Sequence, residues 1–237
     1  MMPEATIVTS WDGSAHGSAE YVNRLFRACK RRTTIPFSFL LYTGPEAAIP
    51  GRLDGMDPAI GIVQTGLPWW WCGMPFWKED APGVKTERRL FLDLDTVIVG
   101  SLDEMILYDS DHVCSRDWPK DRAPMGEERD ANPGVTMIRL GGGAWVWEEY
   151  ERGGKPTWSP HDRSVDHSPF PLAAQGIIND RKRAGKGGTD LFPEPWAMSY
   201  KLAVQDRGIP EGCRIVHFHG KPKQWHVNEP FVRDNWR

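Results

Sequence analysis

Two rhythms of hydrophobic and polar positions succeed one another along the chain, and together they predict an α/β fold. Ala5 to Trp11 is β-branched and apolar and breaks at Asp12-Gly13, the pattern of a buried first strand. Glu20 to Arg32 sets Tyr21, Val22, Leu25, Phe26 and Cys29 on one stripe at helical spacing, with basic residues opposite. Phe37 to Tyr42 and Ile60 to Gln64 predict a second and a third strand, the former ended by Thr43-Gly44-Pro45. Strand, helix, strand in this order predicts a parallel sheet. Leu67 to Lys78 reads as a short helix plus loop, and Arg89 to Asp95 as the strongest strand of the chain. Ser101-Leu102-Asp103-Glu104 has the form of a capping box that opens a helical turn. His112 to Ser115 and Gly134 to Leu140 predict strands, and Ala144 to Glu151 a helix. Pro171 to Arg183 predicts another helix, with proline near its start, and Arg214 to His219 the last strand. Residues 117–133 and 153–169 are polar and irregular. No repeat or linker divides the chain, so one domain over residues 1–237 is expected.

Composition narrows the function classes. The 237 residues are 40% apolar and 26% charged, enough apolar surface for a core and too much for intrinsic disorder. With 24 glycines and 20 prolines the chain is loop-rich. A net charge of −3 gives no global basic field, which disfavours nucleic acid as a partner. No apolar run approaches the ~18 residues that span a bilayer, and the start lacks the basic-then-apolar layout of a signal peptide. Cys29, Cys72, Cys114 and Cys213 are isolated, which argues against a zinc knuckle and fits a reducing cytoplasm. The twelve tryptophans bring carbohydrate, or another flat ligand, onto the list of partners.

Two segments carry candidate chemistry. Asp93-Leu94-Asp95 closes an apolar run, and strand alternation would turn both carboxylates to one face. Strand carboxyl ends are where α/β proteins bind ligands. Two carboxylates this close repel each other unless a cation lies beside them. A hard divalent ion, Mn²⁺ or Mg²⁺, fits oxygen ligands, with substrate phosphates completing its sphere. The plainer reading of the pair is a helix cap or a solvated strand end. The second segment runs from Val216 to Trp225. His217 and His219 would share one strand face, Gly220 allows close backbone approach, and Lys221 and Lys223 offer point charges to a diphosphate.

Together these segments resemble the GT-A glycosyltransferases of the family 8 type. Those enzymes carry an apolar strand ending in Asp-x-Asp-Thr, similar to FLDLDT here, and a late His-x-x-Gly-x-x-Lys-Pro-Trp, similar to His217, Gly220, Lys223, Gln224 and Trp225. Gln224 departs from the family's proline. Weaker likeness extends to the Tyr21-Val22-Asn23 helix, to Asn132-Pro133-Gly134-Val135 and to Gln175, where Ala174 stands in place of the family's aspartate. The family's lysine after the aromatic segment is missing near Trp71-Cys72-Gly73, with Lys78 the nearest candidate. The resemblance implies a Rossmann-like GT-A domain with a mixed, mainly parallel sheet flanked by helices. It implies Asp93, Asp95 and His217 as ligands of Mn²⁺ (or Mg²⁺), with Asp93 also on the nucleotide ribose. Gly220 and Lys223 would hold the diphosphate, Trp11 would lie on the nucleotide side, and Asn132 and Gln175 would face donor sugar or acceptor. The resemblance implies a UDP-sugar donor and retention at the anomeric carbon; the acceptor hydroxyl stays open among a lipid-linked glycan, a polysaccharide, a protein and a small molecule. Peripheral membrane contact is compatible with this reading, and the aromatic segment from Trp69 to Trp77 would either stack on sugar or belong to the core.

Other classes fit less of the chain. A phosphatase of the haloacid dehalogenase type would use Asp93 as nucleophile and Asp95 as acid/base. That fold places its motif on the first strand and needs a late acidic pair that this sequence lacks. A sugar-nucleotide pyrophosphorylase would need a Gly-x-Gly-Thr-Arg loop after the first strand, and a sugar-binding module would not need the aspartate, histidine and lysine set.

Overall fold

The computed structural model describes residues 3–13, 18–117, 131–153 and 174–237, and leaves the side chains of residues 69 and 70 undescribed. The strands, in chain order, are β1 (Ala5–Trp11), β2 (Phe37–Thr43), β3 (Ile60–Gln64), β4 (Arg88–Leu92) and β5 (Thr96–Ile98). They continue with β6 (His112–Arg116), β7 (Ala131–Arg139), β8 (Asp190–Leu191), β9 (Ala197–Ser199) and β10 (Ile215–His217). The α-helices are α1 (Ala19–Arg32), α2 (Asp103–Ile106), α3 (Ala144–Arg152), α4 (Ala174–Arg183) and α5 (Pro230–Asn235). Residues 171–173, where the sequence pattern starts the α4 helix, lie outside the described residues.

A seven-stranded sheet has the order β3-β2-β1-β4-β7-β6-β8. All its strands run parallel except β7, which pairs antiparallel with β4 and β6. This is the mixed, mainly parallel sheet that the sequence pattern implies. A smaller sheet, β5-β10-β9, pairs β10 antiparallel to β5 and parallel to β9. Alternation along β4 explains how the large sheet is covered on both faces. Leu90 and Leu92 enter a core with Val22, Leu25 and Phe26 of α1. Phe91, between them, enters the opposite core with Trp71, Phe76, Trp77 and Tyr150. Burying each large apolar side chain contributes about 1.5–3 kcal/mol, so the α1 stripe alone anchors that helix firmly. A third cluster packs Val97 and Val216 of the small sheet, with Phe218 just after β10, against Tyr200, Val232 and Trp236.

Three local expectations are corrected. The strongest strand ends at Leu92 and not at Asp95, because the chain leaves the large sheet there to enter the small one at Thr96. The last strand ends at His217 and not at His219. The capping box does not close: Ser101 Oγ accepts from the Asp103 N–H at 3.2 Å, but Glu104 pairs with Arg214 instead of turning back. The described rings of the aromatic segment, Trp71, Phe76 and Trp77, are 4%, 0% and 3% exposed, so they belong to the core. Lys78 lies 4.4 Å over the ring of Trp147 on α3.

Candidate active site

The site forms where β4 hands over to β5 and where β10 ends beside them. Asp93, Leu94 and Asp95 form a turn whose carbonyls are all fixed from elsewhere in the chain. The Thr96 hydroxyl donates to the Asp93 carbonyl at 2.8 Å, Gln224 Nε2 to the Leu94 carbonyl at 3.0 Å, and the Phe218 N–H to the Asp95 carbonyl at 2.9 Å. The Asp93 N–H donates to the Gly134 carbonyl at 2.7 Å, extending the β4–β7 pairing by one rung. The two carboxylates therefore converge through a pinned turn and not through strand alternation. Gln224 stands where the resemblance expects proline. Its fully buried amide is one of the pins.

Opposite the turn, His217 is 3% exposed at the end of β10. Its Nε2 lies 2.9 Å from Asp95 Oδ1 and 3.5 Å from Asp93 Oδ2. One ligand atom from each of Asp93, Asp95 and His217 falls within 4.8 Å of the others. Burial by itself would push the Asp95 carboxyl up, yet the His217 imidazole and the Lys223 ammonium hold it far below the usual carboxylate range. Burial would likewise push His217 down, but the Asp95 charge and hydrogen bonds to Asp93 and Asp95 raise it above an ordinary histidine. Lys223 Nζ donates to Asp95 Oδ2 and, at 3.0 Å, to the Phe218 carbonyl.

His219 takes a different partner. Its Nε2 is 2.6 Å from Ser199 Oγ. Burial, then the charges of His217 and Lys201, push its imidazole down to about 4. Of the two histidines, His217 is the one facing both carboxylates.

The donor set suits a divalent cation, since two carboxylates and an imidazole are hard to intermediate ligands. The packing suits it too. A Cβ on Gly134 would stand 2.3 Å from Asp93 Oδ2 and 2.7 Å from His217 Cε1, so a glycine is required there for the ligands to close together. Gly134 is the residue that sequence reasoning undervalued; its signal lay in the Asn132-Pro133-Gly134-Val135 stretch. Asn132 Oδ1 accepts from the Gly134 N–H at 2.9 Å and lies against the same small space. Gly220 adopts φ +67°, a left-handed conformation that favours glycine in the loop after β10. Trp11 is 5% exposed at the end of β1 and packs into the α1 side of the core. Gln175 on α4 donates to Asp117 Oδ2 at 3.0 Å, so a carboxylate reaches Gln175 although Ala174 precedes it. Asp117 carried no signal in the sequence.

No protein-family model matches the sequence, and no curated protein matches it. Solved structures do match in shape. The galactosyltransferase LgtC, in complex with donor and acceptor sugar analogs, superposes with TM-score 0.57 at 17% identity, covering 93% of this chain and 89% of LgtC. The bifunctional glycosyltransferase WbbM matches with TM-score 0.58 at 14% identity, over 95% of this chain and 47% of WbbM. The glycosyltransferase GlyE of Streptococcus pneumoniae matches with TM-score 0.54 at 16% identity, over 94% of this chain and 56% of GlyE. The chain thus has the GT-A glycosyltransferase fold. Within it, the Asp93-Asp95 turn follows β4 and faces the end of β10. Among the described residues no helix is long and apolar enough to cross a membrane.

Proposed function

We propose that the chain is a glycosyltransferase that moves a sugar from a nucleotide-diphosphosugar to an acceptor hydroxyl, as one GT-A domain. The observation that carries this reading is the convergence of Asp93, Asp95 and His217 at the β4–β5 turn of a GT-A fold. These residues would hold Mn²⁺ (or Mg²⁺), and such an ion offsets the negative charge that grows on a leaving diphosphate. Lys223 adds a second positive charge beside Asp95, and the Gly220 loop lets backbone approach the phosphates. In the transfer the acceptor oxygen bonds to the anomeric carbon as the C–O bond to the diphosphate breaks; the nucleoside diphosphate leaves with that bond's electrons and takes up the proton of the acceptor hydroxyl. Asn132, next to the ligand cluster, and Gln175 with Asp117 are the residues assigned to orienting donor sugar or acceptor.

The family resemblance supports UDP as the nucleotide and retention as the outcome, and the acceptor is a hydroxyl of a glycan, a lipid-linked glycan, a protein or a small molecule. The four cysteines are all free and buried, which supports work in a reducing cytoplasm. The phosphatase reading gains no support, because the acidic turn follows the fourth strand along the chain and an imidazole faces its two carboxylates. Thermal denaturation with UDP and Mn²⁺, separately and together, tests the proposal. A ligand that binds the native state raises Tm by mass action. The reading requires UDP to raise Tm far more with Mn²⁺ than without it, and an Mn²⁺-independent response would oppose it.

A further inference from the structure

The turn after β9, Tyr200–Val204, is tied to the loop after β10 by one hydroxyl. Ser199 Oγ lies 2.6 Å from His219 Nε2 and accepts from the Leu202 N–H at 3.2 Å. The strands beneath them hold the same register, with Ser199 opposite His217. This arrangement carries Lys201 across to Gly220: a Cβ placed on Gly220 would stand 3.3 Å from Lys201 Nζ. Among the described residues Lys201 has no ion pair and no hydrogen bond through its ammonium, whereas Lys223 is occupied by Asp95 and the Phe218 carbonyl. Burial first, and then the charges of His217, Lys201 and Lys223, push the His219 imidazole down. An ammonium with no partner among the described residues, beside a left-handed glycine and next to a cluster suited to a cation and its phosphates, is set up to receive an anion.

We propose that Lys201 is a second diphosphate-binding lysine of the donor site, contacting the terminal phosphate of a nucleoside diphosphate beside Gly220. The assignment rests on the glycosyltransferase reading and adds to it a residue far from either sequence motif. It also assigns Ser199 and His219 a positioning task, holding the turn that presents the ammonium. A charge aimed at the terminal phosphate discriminates diphosphates from monophosphates, because only the former reach it.

Calorimetric titrations of UDP, UMP and inorganic pyrophosphate in Mn²⁺ buffer, on the parent chain and on Lys201→Gln, test the assignment. Lys201 is an exposed side chain, so the variant folds, and an unchanged Tm verifies this. Lys201→Arg, which keeps the charge, serves as a second variant. The expected result is a loss of about tenfold in UDP and pyrophosphate affinity for Lys201→Gln, or ~1.4 kcal/mol, with UMP affinity unchanged and partial recovery in Lys201→Arg. UDP affinity equal to that of the parent, or an equal loss for UMP, would overturn the role of Lys201 while leaving the donor site intact. Failure of the parent chain to bind UDP or pyrophosphate would overturn the donor reading itself, and the lysine's role with it.

Discussion

Asp95 Oδ1 and His217 Nε2 lie 2.9 Å apart, one on a turn and the other at the end of a strand of the small sheet. Each stabilises the charged form of the other, which depresses the carboxyl and raises the imidazole. A metal ion needs the imidazole neutral, so binding must displace the proton that Asp95 helps to hold. The sign follows directly: the lower the pH, the more His217 is protonated and the weaker the metal affinity. Mn²⁺ affinity is expected to rise by up to about tenfold per pH unit while His217 remains largely protonated in the free protein. Titrations in buffers of different ionisation enthalpy should show proton release on binding. A pH-independent affinity without proton release would remove His217 from the ligand set.

Gly134 bears on the same cluster from β7. Gly134→Ala places a methyl group 2.3 Å from the present position of Asp93 Oδ2 and 2.7 Å from His217 Cε1, well inside contact distance. One ligand must move. A displacement of this kind in a preorganised site costs about tenfold or more in metal affinity. Mn²⁺ titration of the variant reads this, with Tm as a control for global folding. Parent-like affinity would mean the ligands close without the glycine.

Gln224 is the clearest case of a departure from the family pattern that the structure explains. Gln224→Leu keeps the volume and removes the donor to the Leu94 carbonyl. Leaving that carbonyl without its partner costs about 1–3 kcal/mol, read as a lower midpoint in urea denaturation. The same change frees the turn that carries both aspartates, so metal-dependent UDP affinity should fall with it. A variant as stable as the parent, with unchanged affinity, would show that the pin is dispensable.

Much of this was visible in the sequence and some was not, for physical reasons. β1, from Ala5 to Trp11, was legible as a nearly continuous apolar run because both its faces are buried, and the stripe from Val22 to Cys29 because one face of its helix is. The aspartates and His217 were legible as chemistry, but not the way they meet. Asp93 and Asp95 converge because Thr96, Gln224 and Phe218 capture the turn, and the Gln224 bond spans 130 positions that no local pattern records. β9 has three residues, too few to show a periodicity, so the delivery of Lys201 to the Gly220 loop left no trace. The tryptophans pointed toward sugar, but Trp71 and Trp77 fill the core, since a ring large enough to stack on a sugar is also large enough to close a sheet face.

The most direct measurement is nucleoside diphosphate release from a panel of nucleotide-sugars, with Mn²⁺ and with chelator, for the parent chain and for Asp95→Asn. Asp95→Asn keeps the side-chain shape while removing the charge that faces both His217 and Lys223. Mn²⁺-dependent release is expected from at least one donor, abolished by chelator and reduced by about a hundredfold or more in Asp95→Asn, as for loss of a group that acts on transition-state charge. Release that is indifferent to Mn²⁺ and to Asp95→Asn, or no release from any donor in the panel, would contradict it.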